Sequence, residues 1–197
     1  MQSSDILTRL RHATASRHAV LDQAMPLADP AATLEHYRDH LVLLRRWLAR
    51  VQSWQAGFSD GPQGCPLLPD LAHIPLIDAD LGDAAMPAAT SAGVPVLAAE
   101  LWPASASASY RWGISYVIEG SRLGGQVLRR RLAARLAPHP LRYLGDDSSG
   151  ERWLQFIRQL RQSVTQEKAI EEACSGACDA FDNLIALLPG NIPSCPR

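Results

Sequence analysis

The segment that most constrains this chain is a long helical stretch in its second half that carries no side chain along much of one line. Helical periodicity runs from about residue 108 to 136. Ser105 or Ser107 is placed to cap its start, and Pro138-His139-Pro140 ends it. Within it Gly113, Gly120 and Gly124 fall at nearly one angle, and Gly125 lies beside them. Each glycine inside a helix costs about 0.5–1 kcal/mol relative to alanine. Repeating that cost along one stripe needs a cause. Either another helix packs closely against the small residues, or a ligand approaches bare backbone.

The remaining pattern is helical as well. Residues 3–25 read as one helix, capped by Ser3 or Ser4, with Asp5 in its first turn and Pro26 and Pro30 behind it. Leu7, Leu10, Thr14, His18, Leu21 and Met25 share one side. A second helix starts at Thr33 and ends near Gly57, with Tyr37, His40, Leu41, Leu44, Trp47, Leu48 and Val51 at helical spacing. Residues 57–104 hold half of the 14 prolines and read as a long connection, with short helices around 67–72 and 95–101. A further helix runs from Ser148 or Ser149 to about 165, and a last one from 166 to 188, before Pro189-Gly190. Period-two runs of β-branched residues are absent. The expected fold is all-α: one compact multi-helical domain over residues 1–190 and a short tail over 191–197.

Composition excludes several functions. Hydrophobic residues at 47% and charged residues at 20% describe a globular chain. A net charge of -1 argues against nucleic-acid or anionic-membrane binding, and Arg129-Arg130-Arg131 reads as a solvated helix face. No run reaches the roughly 18 apolar residues of a membrane span, and no signal-peptide core follows Met1. A cytoplasmic protein is expected. Cys65, Cys174, Cys178 and Cys195 lack zinc-site spacing, and His36 with His40 lacks a third ligand. Asp78, Asp80 and Asp83 read as loop carboxylates that act as caps, and His73 and His139 as loop histidines. Nucleotide-binding glycine loops and a GxSxG elbow are missing.

His18 lies on the apolar side of the first helix, where a core histidine or a metal ligand is expected. Arg11, seven residues earlier, projects at nearly the same angle, about 10 Å along the axis. One helix edge therefore offers an imidazole for a metal and a guanidinium for a carboxylate.

Two motifs together resemble the haem oxygenase family in its bacterial, biliverdin-producing branch. Leu10-x-x-Ala13-Thr14-x-x-x-His18 is similar to the family's proximal-helix motif. Gly120-Ser121-Arg122-Leu123-Gly124-Gly125-Gln126-Val127 resembles its distal-helix motif. Weaker likeness extends over Tyr37–Trp47, Pro75–Asp83 and Ala180-Phe181, and leaves out about residues 57–74 and the tail. The resemblance implies haem sandwiched between a proximal and a distal helix. It implies His18 as iron ligand, Gly120, Gly124 and Gly125 as the distal wall, and Arg11, Tyr116 and, more loosely, Arg158 as propionate contacts. Thr14 belongs to the proximal motif. Ser121 stands where vertebrate members carry an aspartate, so the pocket water network differs.

The function so implied is oxidative cleavage of haem to biliverdin, carbon monoxide and ferrous iron. Haem serves as both substrate and cofactor. O2 is consumed, and electrons come from an external reductase or ferredoxin, because the chain has no flavin or nucleotide motif. A redox partner protein is expected, with a bilin-accepting photoreceptor or iron acquisition as the use of the products. The alternative on the same scaffold is a non-catalytic haem-binding or haem-transfer protein.

Overall fold

The structure, a computed structural model, describes residues 5–69, 72–88, 102–145 and 149–188. The fold is all-α, with α1 Ile6–Ala24, α2 Leu34–Gln55, α3 His73–Leu81, α4 Ala108–Leu132, α5 Ser149–Ser163 and α6 Glu167–Ile185. Five of the six were expected within a few residues of their bounds. The short helix expected around 67–72 forms instead as α3, starting at His73. Pro66 and Pro69 disfavour helix at the earlier site, whereas Pro75 sits in the first turn of α3, where its missing N–H is not needed. The short helix expected at 95–101 and the tail at 191–197 lie outside the described residues, as do Ser3, Ser4, Ser148, Pro189 and Gly190. Among the described residues no helix is long and apolar enough to cross a membrane.

α4 packs most extensively on α6, and α1 lies against α6 as well. The α4–α6 crossing is a backbone contact. A Cβ added at Gly113 would collide with the Ala173 carbonyl, and one at Gly176 with the Tyr110 carbonyl. Ala173, Ala177 and Ala180 continue this small-residue seam at 0% exposure. Ser107 marks the start of α4, where its hydroxyl accepts from the Tyr110 N–H at 3.1 Å and donates to Glu172 at 2.7 Å. Tyr110 donates its hydroxyl to Asp179 at 2.6 Å. Gly113 therefore belongs to helix packing, which separates it from the other glycines of the α4 stripe.

α3 is held by a buried carboxylate. Asp80, expected in a loop, lies inside α3 at 0% exposure. It accepts from the Tyr37 hydroxyl at 2.6 Å and from the backbone N–H groups of Tyr143 and Arg142 at 2.9 and 3.0 Å. Burial and the neighbouring carboxylate hold the Tyr37 hydroxyl protonated well above the ordinary tyrosine range. His139, in a loop as expected but 4% exposed, reaches the Asp80 carbonyl at 3.0 Å. His73 is also buried, and it opens α3 rather than lying in a loop. This one side chain ties α2, α3 and the 138–145 loop together. Asp83 does act as a turn acceptor, for the Ala85 N–H at 3.1 Å.

Three arginines of α4 fasten loops to it. Arg111 is 1% exposed and fastens the loop after α2, donating to the Asp60 carbonyl at 2.8 Å and to Gln63 at 2.7 Å. The Arg129–Arg131 run is more than a solvated face: Arg129 donates to the Gly145 carbonyl at 3.2 Å and Arg131 to that of Leu27. Cations in the last turn also suit the helix dipole.

Gly113→Ala overpacks the α4–α6 seam and costs about 1–3 kcal/mol or more in urea unfolding; an unchanged midpoint contradicts the close contact. Asp80→Ala strands the Tyr37 hydroxyl, the buried Tyr143 N–H and the part-buried Arg142 N–H, lowering stability by about 2–4 kcal/mol. Asp78→Ala, which breaks the exposed pair with Arg45, leaves the midpoint nearly unmoved. Equal losses for the two aspartates would contradict this assignment.

Candidate functional site

A cavity of about 700 Å³ opens between α1 and α4 and is bounded further by α2, α6 and the 138–145 loop. That size is in the range of small-molecule sites. α1 contributes Thr14, His18 and Asp22 to its wall, and α4 contributes Tyr116, Gly120, Ser121, Gly124 and Gly125. The two expected walls thus face one space. Leu21, Leu44, Val117, Leu128 and Phe181 give the lining its apolar character.

The glycines of α4 divide by what lies against them. A Cβ added at Gly124 would meet nothing within 4 Å. One at Gly120 would touch only the Trp153 ring, at 3.8 Å, which is ordinary van der Waals contact. Gly125 has the Leu144 side chain at 3.5 Å. Packing within the protein therefore explains Gly113 and leaves Gly120 and Gly124 unexplained. Those two lie on the cavity wall, where a ligand in contact with the helix backbone would account for them.

The opposite wall is set by how α1 is rotated. Leu10 and Thr14 are buried, and the Thr14 hydroxyl is committed to the Leu10 carbonyl at 2.9 Å. Arg17 forms a two-pronged pair with Asp182 of α6, both contacts 2.8 Å. The next residue, His18, then turns to the cavity with its ring centroid 5.9 Å from that of Phe181. Its Nδ1 lies 2.8 Å from a carboxylate oxygen of Asp22. A carboxylate only accepts, so Nδ1 is the nitrogen that donates here, and Nε2 is the one left for another partner. A carboxylate behind a histidine is also how metal-binding imidazoles are oriented.

Of the expected carboxylate-binding groups, the structure brings two together. The Tyr116 hydroxyl is pushed up by burial, and the nearby charge of Arg11 works against that rise. Arg11 itself is exposed and Tyr116 borders the cavity. Arg158 is exposed on α5 and is not part of the cavity wall. Ser121 donates its hydroxyl to the Ile118 carbonyl at 2.7 Å, which leaves oxygen lone pairs as what it offers the cavity.

Several wall residues were not expected, among them Asp22 and His40. His36 and His40 do not act together: His36 caps α2, accepting the Thr33 N–H at Nδ1 at 3.1 Å. His40 borders the cavity, is 6% exposed, and burial pushes it down to about 4. Its place on the α2 stripe with Leu44 and Trp47 was visible, but periodicity does not tell a core face from a cavity face.

An acid-sensitivity prediction follows from His40. Its folded pKa, about 4, lies below the unfolded value of about 6.5. Unfolding therefore takes up a proton below pH ~6.5. This contribution to stability is complete above that pH and is lost as pH falls toward 4, amounting to about 3 kcal/mol. The lowered carboxyls of Asp5, Asp78 and Asp83 act only at lower pH, below their ordinary range. Urea midpoints measured from pH 7 to 4.5 should fall steeply for the apoprotein and much less for His40→Leu; parallel curves contradict the buried neutral imidazole.

No family model matches the chain. A curated protein of Xanthomonas campestris pv. campestris (strain 8004), named "Heme oxygenase", is 42% identical to it over 94 residues. The match takes in 45% of this chain and 55% of that protein, so the chain spans about half the length of the relative it matches. Over that stretch the chain is similar to this haem oxygenase, and its fold is all-α.

Proposed function

We propose that this chain is a haem oxygenase, which binds haem between α1 and α4 and cleaves it to biliverdin, carbon monoxide and ferrous iron. O2 is the oxidant, and an external reductase or ferredoxin supplies the electrons. The observation that carries the reading is the pairing across one cavity of an imidazole tied at Nδ1 with a helix strip whose glycines no protein atom requires. The donor set fits an iron macrocycle. The neutral nitrogen suits iron, the bare strip suits a flat ring, and the apolar lining suits a porphyrin edge.

In this reading His18 holds the metal through Nε2, and Asp22 fixes the ring and its tautomer. Bound haem supplies the iron at which O2 is reduced and is also the substrate that is opened. An imidazole lacks the electron push by which a thiolate favours O–O cleavage. Arg11 and Tyr116 orient the ring by taking a propionate at one end, where the arginine fork matches a carboxylate. Gly120 and Gly124 let the macrocycle approach the α4 backbone. Ser121 accepts a hydrogen bond from pocket water and so helps hold a proton supply in the cavity. The apolar walls exclude bulk water. A redox partner docks from outside, and the bilin product goes to a photoreceptor or follows release of iron for acquisition.

The test uses purified protein, haemin and a reductant in air. Loss of the Soret band with a rising broad red absorption is the expected result. An unchanged haem spectrum would indicate a carrier and contradict the enzyme; absence of haem uptake contradicts both. His18→Ala should abolish the native iron spectrum while leaving urea stability almost unchanged, since the ring is 62% exposed in the apoprotein.

A further inference from the structure

α2 brings two polar atoms to the cavity that the protein does not satisfy. His40 and Trp47 are 6% and 2% exposed, and both line the cavity. Nδ1 of His40 and Nε1 of Trp47 find no hydrogen-bond partner among the described residues. They lie two helical turns apart on one face, with Leu44 between them. Buried polar groups are nearly always paired, and an unpaired one calls for a specific explanation such as an absent water or ligand. Apolar residues would have filled these positions at lower cost, as Leu44 does. Two unpaired nitrogens on one stripe of one cavity point to an occupant that hydrogen-bonds.

Their place separates them from the iron-binding side. His18 and Asp22 belong to the α1 wall. His40 and Trp47 come from α2, a different element, and line the same cavity as Gly120, Gly124 and Gly125 of α4. His40 therefore stands on a wall other than the one that carries His18, available to a ligand that would bind the metal on its side away from His18. Hydrogen-bond donors at that side of a haem decide between binding and activation of O2.

On the haem reading given above, we propose that His40 is a positioning residue for the diatomic ligand: its imidazole N–H donates to O2 or carbon monoxide held on the face of the haem away from His18. Trp47, which can only donate, supplies a second fixed N–H to the cavity. Ser121, Arg122 and Tyr143 are further polar side chains of the cavity, and Arg122 lies close enough to Tyr143 to lower its hydroxyl against the rise that burial causes, which leaves it pushed up to about 12. At neutral pH the His40 ring therefore stands as a neutral group that offers one donor and one acceptor.

The experiment is the infrared C–O stretch of the reduced carbon monoxide complex in wild type, His40→Leu and His40→Gln. A donor on the bound oxygen lowers this frequency. His40→Leu should therefore shift the band upward by more than its own width, and His40→Gln, which keeps an N–H, should bring it part of the way back. Haem uptake should be the same in all three. His40→Leu replaces an unpaired buried polar group with an apolar one of similar bulk, so folding should survive; should it not, the Gln variant alone still has to move the band upward. Bands at the wild-type position in both variants, with haem fully bound, overturn the role of His40 and leave the haem reading standing. Wild type that takes up no haem overturns both.

Discussion

The backbone contact between α4 and α6 is the constraint on which the rest of the molecule depends. It exists because Gly113 and Gly176 remove two Cβ atoms at the points where each helix meets a carbonyl of the other. With Ala173, Ala177 and Ala180 fully buried, the two helices lock in one register. α6 then serves as a common base. It carries α4 on this seam and α1 through the Arg17–Asp182 pair, so the gap between α1 and α4 is fixed by a third helix and not by side chains inside the gap. A slot that must stay open for a ligand needs that kind of external support, because a packed interior otherwise collapses.

One helix therefore uses glycine for two physical purposes. At Gly113 the absent Cβ admits protein backbone. At Gly120 and Gly124 it admits nothing from the protein, and the helix bears the usual cost of about 0.5–1 kcal/mol at each. The apoprotein gains no evident compensation at those two positions. Sites of function are where such local costs concentrate, and the proposed function assigns these two positions, with the imidazole of His18 across the cavity, to a ligand.

Much of this was legible in the chain. Helical periodicity and the proline and glycine stops placed α1, α2, α4, α5 and α6, because local pattern and tertiary packing agree there. His18 and the glycine stripe were readable for the same reason: angular arithmetic on a helix needs no partner. What was illegible depends on partners distant in the chain. Nothing local at Gly176 shows that it meets Tyr110, and nothing at Asp80 shows that Tyr37, Arg142 and Tyr143 converge on it. Splitting the stripe into a glycine that packs on protein and glycines that no protein atom crowds likewise required α6 to be in place. His40 was on a recognised stripe, but whether a stripe faces packed atoms or a cavity is a property of the opposite wall. The 57–74 stretch was read least well, since prolines block helix without stating what replaces it.

The central claim is that the strip at Gly120 and Gly124 is bare for the sake of a flat ligand. Haemin titration of wild type and Gly124→Leu, with urea unfolding of both apoproteins, addresses it most directly. The substituted protein should fold with at least wild-type stability, since the first atom added meets nothing within 4 Å, and its haem affinity should drop by at least about tenfold, roughly 1.4 kcal/mol. Haem uptake as tight as that of wild type would contradict the claim.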